Sequence, residues 1–168
     1  MTEVTSNCVH AVLIGAGATA FMDGWTVLRA RLFGIAPLDY ALVGRWIGHL
    51  FRGRFRHDQI ALSAPVRGER LIGWGMHYLV GMALAAVLLA VWGVDRVRHP
   101  TLLPPLVVGI GSVTLPFLLM QPGMGFGIAA SRMPRPMAAR LHSLVTHGVF
   151  GFGLYVSGWI AGSLNLLW

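Results

Sequence analysis

Asp23, His77 and His147 stand inside long, largely apolar stretches, as do His10 and His142, and Gln121 stands at the end of another. An ionisable group in bilayer hydrocarbon costs roughly 3 kcal/mol or more, so such residues turn toward the interior of a bundle and find partners there. At 1.5 Å of rise per residue, Asp23, His77 and His147 each lie about 8–10 Å inside the same end of their stretches. Gln121 falls at the inner end of the third stretch. The spacing predicts one polar layer displaced toward one side of the membrane. Three chemistries are open to it. Asp23 can accept hydrogen bonds from the histidines as a plain clasp between helices. The same groups can pass protons or ions. Or His77, His147 and Asp23 can hold a metal or haem, with Met22, Met76, Met120 and Met124 adding soft sulfur. No spacing here is specific to a metal. His142 and His147 are five apart and do not share a helix face.

Other chemistries find no support. There is no Ser-His-Asp or Cys-His arrangement, no paired carboxylate set and no phosphate loop, so no catalytic residue is assigned. Gly15-Ala16-Gly17-Ala18-Thr19-Ala20 copies the glycine pattern of a dinucleotide fold. No alternation of strands and helices follows it, and these small residues read better as helix-packing positions. His10, His49, His57 and His99 fall at edges or in loops and are expected to be solvated or lipid-facing.

The elements that must position the polar layer are membrane helices. Hydrophobic residues make up 55% of the 168-residue chain and charged residues 11%, against about 25% charged in a soluble domain. Four apolar runs, at 9–28, 71–94, 101–120 and 141–168, each reach the roughly 20 residues that cross a bilayer. None alternates as a membrane-barrel strand would. The expected fold is an all-α integral membrane four-helix bundle, one domain over 1–168. The N-terminus lacks a basic signal-peptide region, and the first run reads as a retained helix.

Arginine sets the orientation. The loop 29–70 carries eight of the 13 basic residues, the loop 121–140 three, and the turn 95–100 only Arg96 and Arg98. By the positive-inside rule both long loops are cytoplasmic and both termini outside. The expected location is a bacterial inner membrane. In the first loop, Pro37-Leu38-Asp39 reads as a helix start. Leu42, Val43, Trp46, Ile47, Leu50 and Phe51 then share one face, with Gly44, Arg45, Gly48, His49 and Arg52 on the other. An amphipathic interfacial helix fits, with Arg52, Arg54 and Arg56 meeting lipid headgroups. In the second loop, Gln121-Pro122-Gly123 is expected to break the third helix.

The two halves match. His77 follows Arg70 by seven residues, as His147 follows Arg140, and Gly81 and Gly151 each lie four further on. This predicts two helical hairpins related as a parallel repeat. Gly158 and Gly162 form a small-residue ridge suited to a homodimer. The formal charge of +7 belongs to loops between apolar runs, so lipid and not nucleic acid is the expected partner. Cys8 alone forms no disulfide within the chain and is read as inert.

Gly44-Arg45-Trp46, Gly53-Arg54-Phe55-Arg56-His57-Asp58, Gly68-Glu69-Arg70, Gly73-Trp74-Gly75-Met76-His77-Tyr78, Met120-Gln121-Pro122-Gly123-Met124-Gly125 and His147-Gly148-Val149-Phe150-Gly151 run through nearly the whole chain. With these motifs the sequence resembles a family of small bacterial inner-membrane proteins known only as a domain of unknown function. The resemblance implies four spans and a bacterial membrane, and no reaction or ligand. The expected function is movement of protons, ions or a small solute through the polar layer. The alternatives are a metal- or haem-binding redox subunit and a structural subunit of a membrane complex.

Overall fold

The computed structural model describes residues 3–93 and 101–164. The expected turn at 95–100, with Arg96, Arg98 and His99, lies outside the described residues, as does the end of the fourth expected span. Among the described residues the chain is helical and has no strand. The helices are α1 (Glu3–Phe33), α2 (Tyr40–Leu50), α3 (Glu69–Trp92), α4 (Leu103–Gly111), α5 (Gln121–Met124) and α6 (Pro136–Ser163). Single 3-10 turns lie at Ile60–Leu62 and Ile128–Ala130, and a π segment at Pro116–Met120. Four stretches are long and apolar enough to cross a membrane: Thr5–Phe33, Glu69–Trp92, Leu103–Met124 and Pro136–Ser163. The expected all-α, four-span architecture is therefore present and is consistent with a four-helix membrane bundle.

The helix boundaries have local causes. Asp39 caps α2, its carboxylate accepting from the Ala41 amide at 2.9 Å, which satisfies a donor the first turn leaves orphaned. α6 opens on Pro136, where the missing N–H would have had no intrahelical partner. The third span departs from expectation. Gln121-Pro122-Gly123 does not break it; those residues form α5, and the stop comes at Gly125, with φ 94°. The irregularity lies earlier. The chain turns after α4, then runs through the π segment, where the Gln121 amide donates to the Pro116 carbonyl five residues back. Pro116 opens the π segment, and its ring crowds the turn before it, where the regular helix gives way. Pro122 sits in the first turn of α5, where proline is tolerated.

Two compact units divide the chain. The first draws on Met1–Ala36, Tyr78–Ser112 and Val145–Trp168, and its core takes side chains from α1, α3, α4 and α6. Ala11, Ile14 and Ala18 bury one stripe of α1, and they meet Ala85, Leu88, Leu89, Val108, Phe150, Leu154 and Ala161. Small residues set how closely these helices approach. A side chain at Gly15 would meet the backbone of Gly81 and Met82, and one at Gly109 the backbone of Gly151. Each expected hairpin thus carries a glycine-on-glycine crossing, which in lipid replaces hydrophobic drive with close packing. Large apolar side chains instead face outward: Leu79, Val87, Val91, Leu103 and Trp159 are exposed, as a lipid-facing surface requires. Gly158 is buried inside this unit, so the ridge expected to be open with Gly162 is already used in packing at that position.

The second unit, Pro37–His77 and Val113–Leu144, is built on α2 and the start of α3. Gly44 abuts the Glu69 carbonyl, Gly73 abuts the Tyr40 carbonyl, and Gly48 meets Val66. This corrects the expected reading of α2. The face with Gly44, Arg45, Gly48 and His49 packs on protein, because its glycines let backbones meet and its polar groups find partners. Val43 and Ile47 are also buried, whereas Leu50 and Phe51 are exposed.

Candidate functional site

Two of the four expected polar residues lie in the first unit and two in the second. In the first, Asp23 stands on α1 and accepts from the Tyr78 hydroxyl of α3 at 3.1 Å. His147 on α6 lies with Nδ1 2.8 Å from the Ser112 hydroxyl, at the end of α4. That hydroxyl also donates to the Gly109 carbonyl at 2.6 Å. A serine hydroxyl has one proton, and the carbonyl takes it. His147 therefore donates from Nδ1. Gly109, whose carbonyl holds Ser112, is also the glycine that meets Gly151. The helix crossing and the orientation of His147 thus depend on the same turn. Nearby in the same unit, fully buried Thr19 returns its hydroxyl to the Gly15 carbonyl at 2.7 Å, so this group presents no free donor.

In the second unit His77 meets Tyr40. Its Nε2 is 3.0 Å from the Tyr40 hydroxyl, and the rings stack with centroids 4.4 Å apart. Trp74 closes the group, 4.5 Å from Tyr40 between ring centroids. Gln121 is buried, and its Oε1 has no hydrogen-bond partner among the described residues. Met124, beside it on α5, is fully buried.

The second unit also holds polar groups that no hydropathy pattern marks. Arg45 grips Glu69 with two parallel bonds of 2.9 and 2.8 Å, and its third nitrogen reaches the carbonyls of Ala61 and Ser63 at 3.0 and 3.2 Å. Donating to the Glu69 carboxylate raises the Arg45 pKa above its ordinary value. Glu69 also accepts from the Val66 amide at 3.0 Å. One guanidinium therefore ties α2, the 3-10 turn and the start of α3 together, the planar fork geometry that suits arginine and not lysine.

His10, His49 and His57 are buried, 3%, 7% and 5% exposed, which corrects their expected placement at solvent or lipid. His49 donates from Nε2 to the Ala64 carbonyl at 2.9 Å, and His57 from Nδ1 to the Gly123 carbonyl at 3.3 Å. Their rings meet edge-on with centroids 5.0 Å apart. Loop position misled for His49 and His57: the segment after α2 packs on α5, with the His57 amide also donating to the Gly123 carbonyl. The signal in the sequence was Gly123 and Gly125, since side chains there would strike Trp46 and the Asp58 carbonyl respectively. Arg52, Arg54 and Arg56 are exposed.

Residues 12–161 match one family along almost all of their length. The chain belongs to the DUF2938 family, described as a protein of unknown function. No curated protein and no solved structure matches the chain. The DUF2938 match reaches into all four apolar helices and takes in every polar group described above except His10. It assigns a chemistry to none of them, so the functional reading of this DUF2938 chain rests on the side-chain geometry.

Proposed function

We propose that the protein is a multi-pass bacterial inner-membrane protein, termini outside and Arg-rich loops in the cytoplasm, that couples movement of protons to movement of a small solute. One observation carries the reading. Asp23 and His147 are ionisable groups within membrane-length helices of the same unit, and a hydroxyl from a neighbouring helix positions each. A clasp that only joined helices could use neutral groups at lower cost; an acid and a base held at fixed geometry can also exchange protons. Leu50 and Phe51, with Arg52, Arg54 and Arg56 beyond them, give the loop an apolar and basic edge for the inner leaflet. The test is proton flux in proteoliposomes, read with an entrapped pH dye under an imposed gradient. Asp23→Asn is expected to lower the flux about tenfold or more while leaving the folded protein intact, because it removes the titrating group and keeps the shape. Flux equal to wild type in that variant ends the reading.

Metal binding is a second reading, favoured by the His49–His57 pair. Ligating histidines hold their other ring nitrogen on a carbonyl or carboxylate, and both rings here do so. That leaves His49 Nδ1 and the buried, unpartnered His57 Nε2. Among the described residues no group of three or more His, Cys, Asp or Glu side chains surrounds them, so further donors would have to be water or neutral groups. Stoichiometric metal in the untagged protein, lost in His57→Gln, supports this reading; metal content unchanged by that substitution ends it.

A further inference from the structure

Trp25 and Arg29 are one helical turn apart on α1, in the first unit, so both project from one face of the helix. Arg29 is 9% exposed. Its one hydrogen bond among the described residues runs from Nη1 to the Thr146 hydroxyl of α6, at a long 3.5 Å. The Arg29 Nε and the Trp25 Nε1 are both buried and have no hydrogen-bond partner among the described residues. An ion pair is seen elsewhere, between Arg45 and Glu69. This is an unusual way to bury a guanidinium. Arginine cannot shed its charge, and a charge taken out of water needs an opposite one close by. Both groups are donors only. Whatever completes them must accept hydrogen bonds and must be negative.

Location narrows the class. Arg29 is four residues from the end of the apolar stretch Thr5–Phe33, about 6 Å along the helix, which is the depth of the phosphate layer of a leaflet and not of the hydrocarbon centre. We propose that Trp25 and Arg29 form a binding site for a phosphate oxygen, carried by an anionic lipid headgroup or by free phosphate. The guanidinium supplies the charge and a fork of donors, the indole a neutral N–H one turn away. The site uses neither Asp23 nor His147 and stands whether or not the protein moves protons.

The full-length protein in mild detergent is titrated with short-chain phosphatidylglycerol, with phosphatidylcholine of the same chain length, and with inorganic phosphate. Binding is read by native mass spectrometry and by the shift of the thermal midpoint. Phosphatidylglycerol alone raising the midpoint assigns the site to a lipid; inorganic phosphate raising it as well assigns it to a free anion. In either case Arg29→Gln is expected to weaken binding about tenfold, as loss of a charge-assisted pair does, and Trp25→Phe severalfold. Trp25→Phe keeps the ring and its packing, so it decides the matter even if Arg29→Gln fails to fold. Wild-type protein that responds to none of the anions, or a Trp25→Phe variant that binds as wild type does, overturns the proposal.

Discussion

Ser112 shows how much one hydroxyl can determine. Its proton goes to the Gly109 carbonyl, which forces the His147 ring to donate from Nδ1. Ser112→Ala removes the acceptor that orients the ring; proteoliposome flux is expected to fall severalfold with the thermal midpoint within a few degrees of wild type, since one interhelical bond contributes about 0.6 kcal/mol. Arg45 makes a sharper case. Arg45→Ala leaves Glu69, 18% exposed, without its fork, and is expected to cost roughly 1–3 kcal/mol, lowering the midpoint measured in detergent. The charge-swapped pair Arg45→Glu with Glu69→Arg is not expected to recover it, because a carboxylate at 45 cannot donate to the Ala61 and Ser63 carbonyls; full recovery would show that the ion pair alone matters. Asp23 and His147 were legible in the sequence because charge inside an apolar run is conspicuous. Tyr78 and Ser112 were not, because a partner depends on the rotation of one helix against another, which residue spacing on one helix does not encode.

At the level of elements, hydropathy located all four apolar spans, while the helix ends differ from the expected ones, most at α1. α1 begins ahead of residue 9 and ends at Phe33, since a helix carries its own hydrogen bonds out of the hydrocarbon. The misplaced break in the third span has a physical reason. Proline disfavours a helix interior but suits a first turn, and Pro122 lies in the first turn of α5 as Pro116 lies in the first turn of the π segment. The packing of α2 through its glycine face was not legible, because Gly44 and Gly48 share that face with Arg45 and His49 and their role shows only with Glu69, Gly73 and Val66 against them. The glycine crossings yield a test at this scale. Gly81→Val places branched carbons against the Thr19 hydroxyl and Gly15 carbonyl and is expected to destabilise by roughly 1–3 kcal/mol, as overpacking does. Gly75→Ala, at a glycine with open space around it, is expected to be neutral or slightly stabilising. Equal midpoints for the two variants would contradict the close approach of α1 and α3.

Within the described spans many large apolar side chains are exposed while His10, Thr19 and Gln121 are buried, a distribution that suits lipid surroundings. Composition alone makes the membrane legible, and the distribution of arginine predicts which side each loop occupies. The most direct measurement is accessibility of single cysteines in spheroplasts of a bacterial host. With Cys8 replaced by Ser, cysteines are placed one at a time at Thr5, Arg54 and Arg132, and reacted with a membrane-impermeant maleimide before and after permeabilisation. The four crossings predict labelling of the Thr5 position from outside, and of the Arg54 and Arg132 positions only once the membrane is opened. Labelling of either loop position in intact spheroplasts, or of one loop but not the other, would contradict the proposed orientation and the even number of crossings beneath it.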